Sequence, residues 1–191
     1  LRMRMSQDRC IEAYSRLKNL KLVGEEIGMK WQTVYVQLKK AGVKVTGDKA
    51  RYGGVKDRLA SAAERRFAAL VPFAKDSNQE QFQASIDFEV CGWLVDIKAA
   101  RLLSHKGDAA RWGFCVNKQK DSADFFVFYS YEESGDEAVR HVFLMPREIV
   151  VARKTISIPA TLNSKWADYM VNEADIPDFF ASLGEKPPPS H

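Results

Sequence analysis

An α/β (α+β) protein, a mixed sheet flanked by helices with a small all-α module in front of it, is what this sequence predicts. Three observations carry that. Residues 84–99, ASIDFEVCGWLVDIKA, alternate apolar and polar about a central Cys91-Gly92 pair, the pattern of a β-hairpin. Residues 123–131, ADFFVFYSY, are apolar almost throughout, which suits a strand covered on both faces. Residues 1–58 space their apolar side chains as helices do and hold 14 Lys and Arg against 6 Asp and Glu, whereas residues 59–191 hold 15 against 19.

In order along the chain, residues 6–18 read as a helix with Ser6 as N-cap, Arg9 at the capping-box position, and a stripe of Cys10, Ala13, Tyr14 and Leu17. Leu22, Val23 and Ile27 form a second short apolar face that Gly28 breaks. A third helix runs from about Trp31 to Lys40, burying Val34 and Leu38, with Gly42 as its C′ glycine. Gly24, Gly28, Met29 and Val34 fall at the offsets of a helix-turn-helix, which this stretch resembles, although Gln37 stands where that pattern often has an apolar residue. The resemblance implies duplex DNA as partner. Lys30, Gln32, Thr33 and Tyr35 would face bases and nearby phosphates; Lys39, Lys40 and Lys44 would face phosphates. The alternative is a three-helix packing module without DNA. Residues 46–58 read as a Gly-rich linker in which Arg51, Tyr52, Lys56 and Arg58 can follow a phosphate strand, or as a plain spacer. The expected organisation is thus 1–45, a linker 46–58, a second domain 59–185, and a disordered tail 186–191.

That second domain opens with a helix, LASAAERRFAALVPFA, stopped near Pro72, with Leu59, Ala63, Phe67 and Leu70 inward and Glu64 its one acid. In the hairpin that follows, a two-residue turn at Cys91-Gly92 sets Val90 against Trp93, Glu89 against Leu94 and Asp87 against Asp96. One face is then Phe82, Ala84, Ile86, Phe88, Val90, Trp93, Val95 and Ile97; the other is Ser85, Asp87, Glu89, Leu94, Asp96 and Lys98. Like charges directly opposed are destabilising, and a divalent cation is the natural remedy, with Lys98 able to reach a water or phosphate beside it. A solvated polar face with no metal is the plainer alternative. Beyond the hairpin lie a loop or short helix (101–110), strands at 111–116, 123–131, 139–146 and 154–160, and two helices in SKWADYMV and IPDFFASL.

Ile86-Asp87 followed by Asp96-Ile97-Lys98 resembles the two half-motifs of the PD-(D/E)XK nuclease superfamily, without the proline and with Asp for the commoner Glu. The order of Glu64, Asp87, Asp96-x-Lys98, Asp124-Phe-Phe-Val and Leu144-Met145-Pro146 is similar to the branch containing homing endonucleases and small phage or bacterial nucleases, over residues 60–170. Homing relatives often carry Gln, Thr or Ser beside the lysine; this chain has Ala99-Ala100-Arg101. The resemblance implies a restriction-endonuclease-like fold and phosphodiester hydrolysis leaving a 5′-phosphate and a 3′-hydroxyl. It implies magnesium, or manganese in its place, held by Asp87, Asp96 and the Ile97 carbonyl. Lys98 would orient or deprotonate the attacking water, and Glu64 would be brought to the metal. A non-catalytic DNA-binding regulator with a degenerate nuclease-like domain and a structure-selective junction nuclease are the competing readings.

The three cysteines, Cys10, Cys91 and Cys115, are far apart, and His105, His141 and His191 do not cluster with them, so neither disulfide nor zinc spacing is present. With no apolar run of membrane-spanning length and no signal-peptide pattern, the expectation is a reducing cytoplasm: the nucleoid or a phage-infected cell. A homodimer or higher homo-oligomer is expected through residues 60–185, with Trp166, Tyr169, Phe179 and Phe180 as exposed aromatics.

Overall fold

Apolar stripes at helical spacing hold the N-terminal residues together. The computed structural model describes residues 2–45, 55–77, 85–135 and 138–190 and divides into two units, Leu1–Arg58 and Leu59–His191. The first contains α1 (Arg2–Leu17), α2 (Leu20–Ile27) and α3 (Trp31–Lys40). Its core is Cys10, Ala13, Tyr14, Val23, Val34 and Leu38. α1 starts four residues before the expected Ser6 cap; Ser6 lies inside the helix with its hydroxyl 3.8 Å from Met29 Sδ. The cap that the sequence reading missed is Asn19, whose side-chain oxygen accepts the Leu22 N–H at 3.0 Å. α3 ends in a Schellman motif: Val43 N–H donates to Leu38 O (2.9 Å) and Gly42 N–H to Lys39 O (3.1 Å), with Gly42 at φ +73°.

The turn between α2 and α3 is residues 28–30, and it folds back hard against Gly24. A Cβ at Gly24 would lie 2.4 Å from the Met29 carbonyl oxygen, a backbone atom that cannot swing aside. Gly24→Ala is therefore expected to destabilise this unit by about 1–3 kcal/mol, more than the gain in helix propensity returns. Faster hydrogen exchange at the α2 and α3 amides would show it; unchanged protection would mean that the turn relaxes freely.

The second unit is built on a six-stranded sheet in the order β1-β2-β3-β5-β6-β8: β1 (Lys75–Asp76), β2 (Phe88–Val90), β3 (Trp93–Arg101), β5 (Phe125–Tyr131), β6 (Val139–Pro146) and β8 (Met170–Val171). Neighbours are antiparallel except β3 and β5, which run parallel. β4 (Arg111–Cys115) and β7 (Thr155–Pro159) form a separate antiparallel pair. α4 (Val55–Leu70) begins within the expected linker and packs Leu59, Ala63 and Phe67 on one face of the sheet. α6 (Ile176–Leu183) adds Ile176 and Phe180 to that layer. The other face is roofed by Trp112 and Phe114 of β4 and Ile156 and Ile158 of β7, with Val150 of the short α5 (Arg147–Val150) and Trp166 at its rim. Every residue of β5 is buried, as its sequence requires.

Several expectations are corrected. The face that carries Asp96, expected to be polar and solvated, is roofed by β4 and β7 and forms a second core layer against which Leu94 and Ala100 also pack. Ile86 belongs to that layer rather than to the Phe88 side, because β2 begins only at Phe88 and the bend at residues 85–87 breaks the alternation. SKWADYMV is a 3-10 turn over Lys165–Tyr169 followed by β8. Trp166 and Phe180 are buried at 8% and 0% exposure, so they do not form the exposed aromatic face expected for oligomerisation. Lys186, expected in a disordered tail, is docked: its N–H donates to Cys91 O (2.9 Å) and its ammonium to Asp124 Oδ2 (2.7 Å). Arg51, Tyr52, Phe82 and Ala84 lie outside the described residues. Among the described residues no helix is long and apolar enough to cross a membrane.

Candidate functional site

The β2–β3 turn has φ +50° at Cys91 and +80° at Gly92, the positive pair a type I′ turn needs. It fixes the expected register, Val90↔Trp93, Glu89↔Leu94 and Phe88↔Val95, and Asp87, the residue before β2, lies near enough to Asp96 for the two carboxyls to interact. Asp87 Oδ2 accepts the Ile97 N–H at 2.7 Å. Asp96 is 1% exposed, and its Oδ2 lies 2.6 Å from Lys98 Nζ. That is an ion contact without hydrogen-bond geometry, so Asp96 Oδ2 is a buried carboxylate oxygen with no hydrogen-bond partner. The Lys98 ammonium donates to Gln119 Oε1 at 3.1 Å. Gln119 is held by its backbone: its N–H donates to Val116 O, and its carbonyl accepts the N–H groups of Ser122 and Ala123. Asp124 ties the frame, its Oδ2 accepting the Leu94 N–H (2.8 Å) as well as Lys186, while its N–H donates to Leu94 O (2.7 Å).

Electrostatics follow from this burial. Desolvation first, and the Asp87 charge second, push the Asp96 carboxyl up to about 7, with Lys98 opposing. Asp87 is also raised, chiefly by burial, against the lowering effects of the Ile97 N–H, Lys98 and a hydrogen bond with Asp96; Asp76 raises it further. Burial thus opposes holding both carboxyls ionised at once.

A divalent cation fits this set. It would relieve the repulsion between the buried Asp96 and the half-buried Asp87 carboxylates and share the Asp96 oxygen with the Lys98 ammonium. A residue's N–H and C=O leave a strand on the same edge, so the Ile97 carbonyl shares the edge from which its N–H reaches Asp87. Among the described residues no group of three His, Cys, Asp or Glu side chains is arranged to hold a metal ion. Two carboxylates completed by a carbonyl, water and phosphate is the manner of magnesium rather than of a closed protein cage.

The structure brings Asp87, Asp96, Ile97 and Lys98 together. Glu64 is half-buried on α4 and already engaged in a contact, and the charges acting on the two aspartates are Lys98, Asp76 and each other. Asp76, on β1 opposite Phe88, is the extra acid the fold supplies, and Gln119 the extra polar ligand of Lys98; neither belongs to a sequence pattern. On α3, Gln32, Thr33, Tyr35, Lys39 and Lys40 are exposed, with Lys30 exposed at its N-cap. Lys44 is half-buried and engaged, and Arg51 lies outside the described residues. Clefts of about 370 Å³ beside Arg66 and Glu173, and about 490 Å³ beside His105 and Ser157, contain neither aspartate.

No protein-family model matches the chain, and no curated protein matches it. Among solved structures, a bacterial homing endonuclease, I-Ssp6803I, aligns over 68% of this chain and 94% of its own at 16% identity, with a TM-score of 0.45.

Proposed function

We propose that the chain is a magnesium-dependent endonuclease of the PD-(D/E)XK type that hydrolyses phosphodiester bonds in DNA, directed to duplex DNA by residues 1–45 acting as a helix-turn-helix. One observation supports the catalytic half above the rest: a buried Asp96 beside a half-buried Asp87, with the Asp96 oxygen in ion contact with a lysine anchored from its far side. Asp87, Asp96 and the Ile97 carbonyl would hold the ion. When bound, magnesium supplies Lewis acidity toward a phosphate oxygen and lowers the pKa of water. Asp96 is shielded beneath the β4–β7 roof, so its charge acts in a medium poorer in water than the surface. Asp87 and Lys98, both half-buried, form the approach from solvent. Lys98, held between Asp96 and Gln119, orients a water or steadies charge developing on the phosphate. The exposed face of α3 and the excess of cations in residues 1–58 support duplex DNA as the partner.

Supercoiled plasmid incubated with the protein and either magnesium or EDTA tests this. Nicked or linear DNA is expected with magnesium alone; binding without cleavage would leave a DNA-binding regulator. Lys98→Ala is expected to slow cleavage by about 10²–10³-fold while the variant stays folded. Unchanged turnover by that variant would remove Lys98 from the reaction.

A further inference from the structure

α3 exposes more apolar surface than phosphate contacts use. Trp31 is 49% exposed, Tyr35 40% and Val36 45%. With Val34 and Leu38 pointing into the unit, a turn of 100° per residue centres the opposite side on Gln32, Val36 and Lys40. Gln32 and Val36 are one helical turn apart, with about 6 Å between their Cβ atoms, a separation that spans neighbouring base pairs. The fourteen cations against six acids in residues 1–58 select a polyanion as the occupant of this face. The apolar group that a polyanionic duplex offers in its major groove is the thymine C5-methyl, and the edge that matches a glutamine amide is adenine N6/N7.

We propose that α3 reads A·T pairs in the major groove, with Val36 packing on the thymine methyl and Gln32 hydrogen-bonding the adenine edge of the adjacent pair. This makes thymine-bearing duplex the preferred substrate class, and it rests on the DNA-directed reading above. Tyr35 flanks the contact on one margin of the helix, and Lys39 and Lys40 hold phosphates at its last turn.

The test uses the full chain in EDTA with three duplexes of equal length: alternating dA–dT, alternating dA–dU and alternating dG–dC. Uracil lacks only the C5-methyl. Fluorescence anisotropy is expected to give affinity for dA–dT about fivefold or more above dA–dU, with dG–dC weakest. Val36→Ala, at an exposed position, should bring dA–dT and dA–dU to within about twofold, whereas Lys39→Ala should weaken all three alike. Equal wild-type affinity for dA–dT and dA–dU, or a gap that survives Val36→Ala, overturns the inference while leaving DNA binding intact. Failure to bind any of the three at low salt overturns the DNA-directed reading with it and leaves this face to a protein partner.

Discussion

Asp96→Asn is expected to reduce magnesium-dependent cleavage by about 10³-fold or more and, without metal, to stabilise the Leu59–His191 unit near pH 8. The two effects have one cause. Asp96 is buried opposite Asp87, and its ionised form suffers both desolvation and repulsion. Asparagine keeps the shape, removes the charge, and leaves Lys98 its bond to Gln119. What is lost is the anionic ligand, which matters only when an ion is to be held. Asp87→Asn should cost as much activity, since an amide oxygen can still accept the Ile97 N–H and preserve the frame without the charge. Plasmid cleavage and thermal melts of the same preparations read both quantities. Either variant cleaving within about tenfold of the parent would show that the pair holds no catalytic ion.

In metal-free buffer, raising the pH from 5 to 8 is expected to destabilise the same unit by a few kcal/mol relative to Asp96→Asn. Asp96 titrates at about 7 when folded, against 3.8 for its ordinary value. A group whose folded pKa is raised contributes stability that is fully present below the unfolded value and is lost as pH rises through the folded one. The loss therefore falls between about pH 4 and pH 7, and Asp87, also raised, adds to it in the same direction. Magnesium should restore the melting temperature at pH 8 and do little at pH 5, where Asp96 is already protonated. A magnesium shift equal at both pH values, or retained in Asp96→Asn, would locate the ion elsewhere.

The closeness of Asp87 and Asp96 was legible because it depends on local chemistry. A two-residue turn at Cys91-Gly92 sets the register of β2 on β3, and Asp87 stands one residue beyond the last pair of that register, beside Asp96. The limits of α3 were legible for the same reason, with Gly28 before it and Gly42 after it. What covers the Asp96 face was not. That depends on β4 pairing with β7, Trp112 opposite Ile158, a contact between segments far apart in sequence whose composition alone names no partner. Gln119 was illegible because a turn residue follows no periodic pattern, and its role is set by where β4 hands over to β5. Ile86 misled because alternation was extended past the point where the strand begins. Trp166 and Phe180 misled because an amphipathic segment does not say whether its apolar side meets its own core or another molecule.

The hairpin that carries both acids is clamped from a long way along the chain. Trp93 Nε1 donates to the Gly184 carbonyl at 2.9 Å across 91 residues of sequence, and Lys186 reaches both Cys91 and Asp124. On a ribosome, β2 and β3 emerge together and Asp124 follows about 30 residues behind Leu94, but Gly184 and Lys186 do not yet exist. The nascent hairpin thus has its turn and its carboxylates before it has its clamp. The clamped form of the hairpin is therefore reached only once the last residues of the unit have been made.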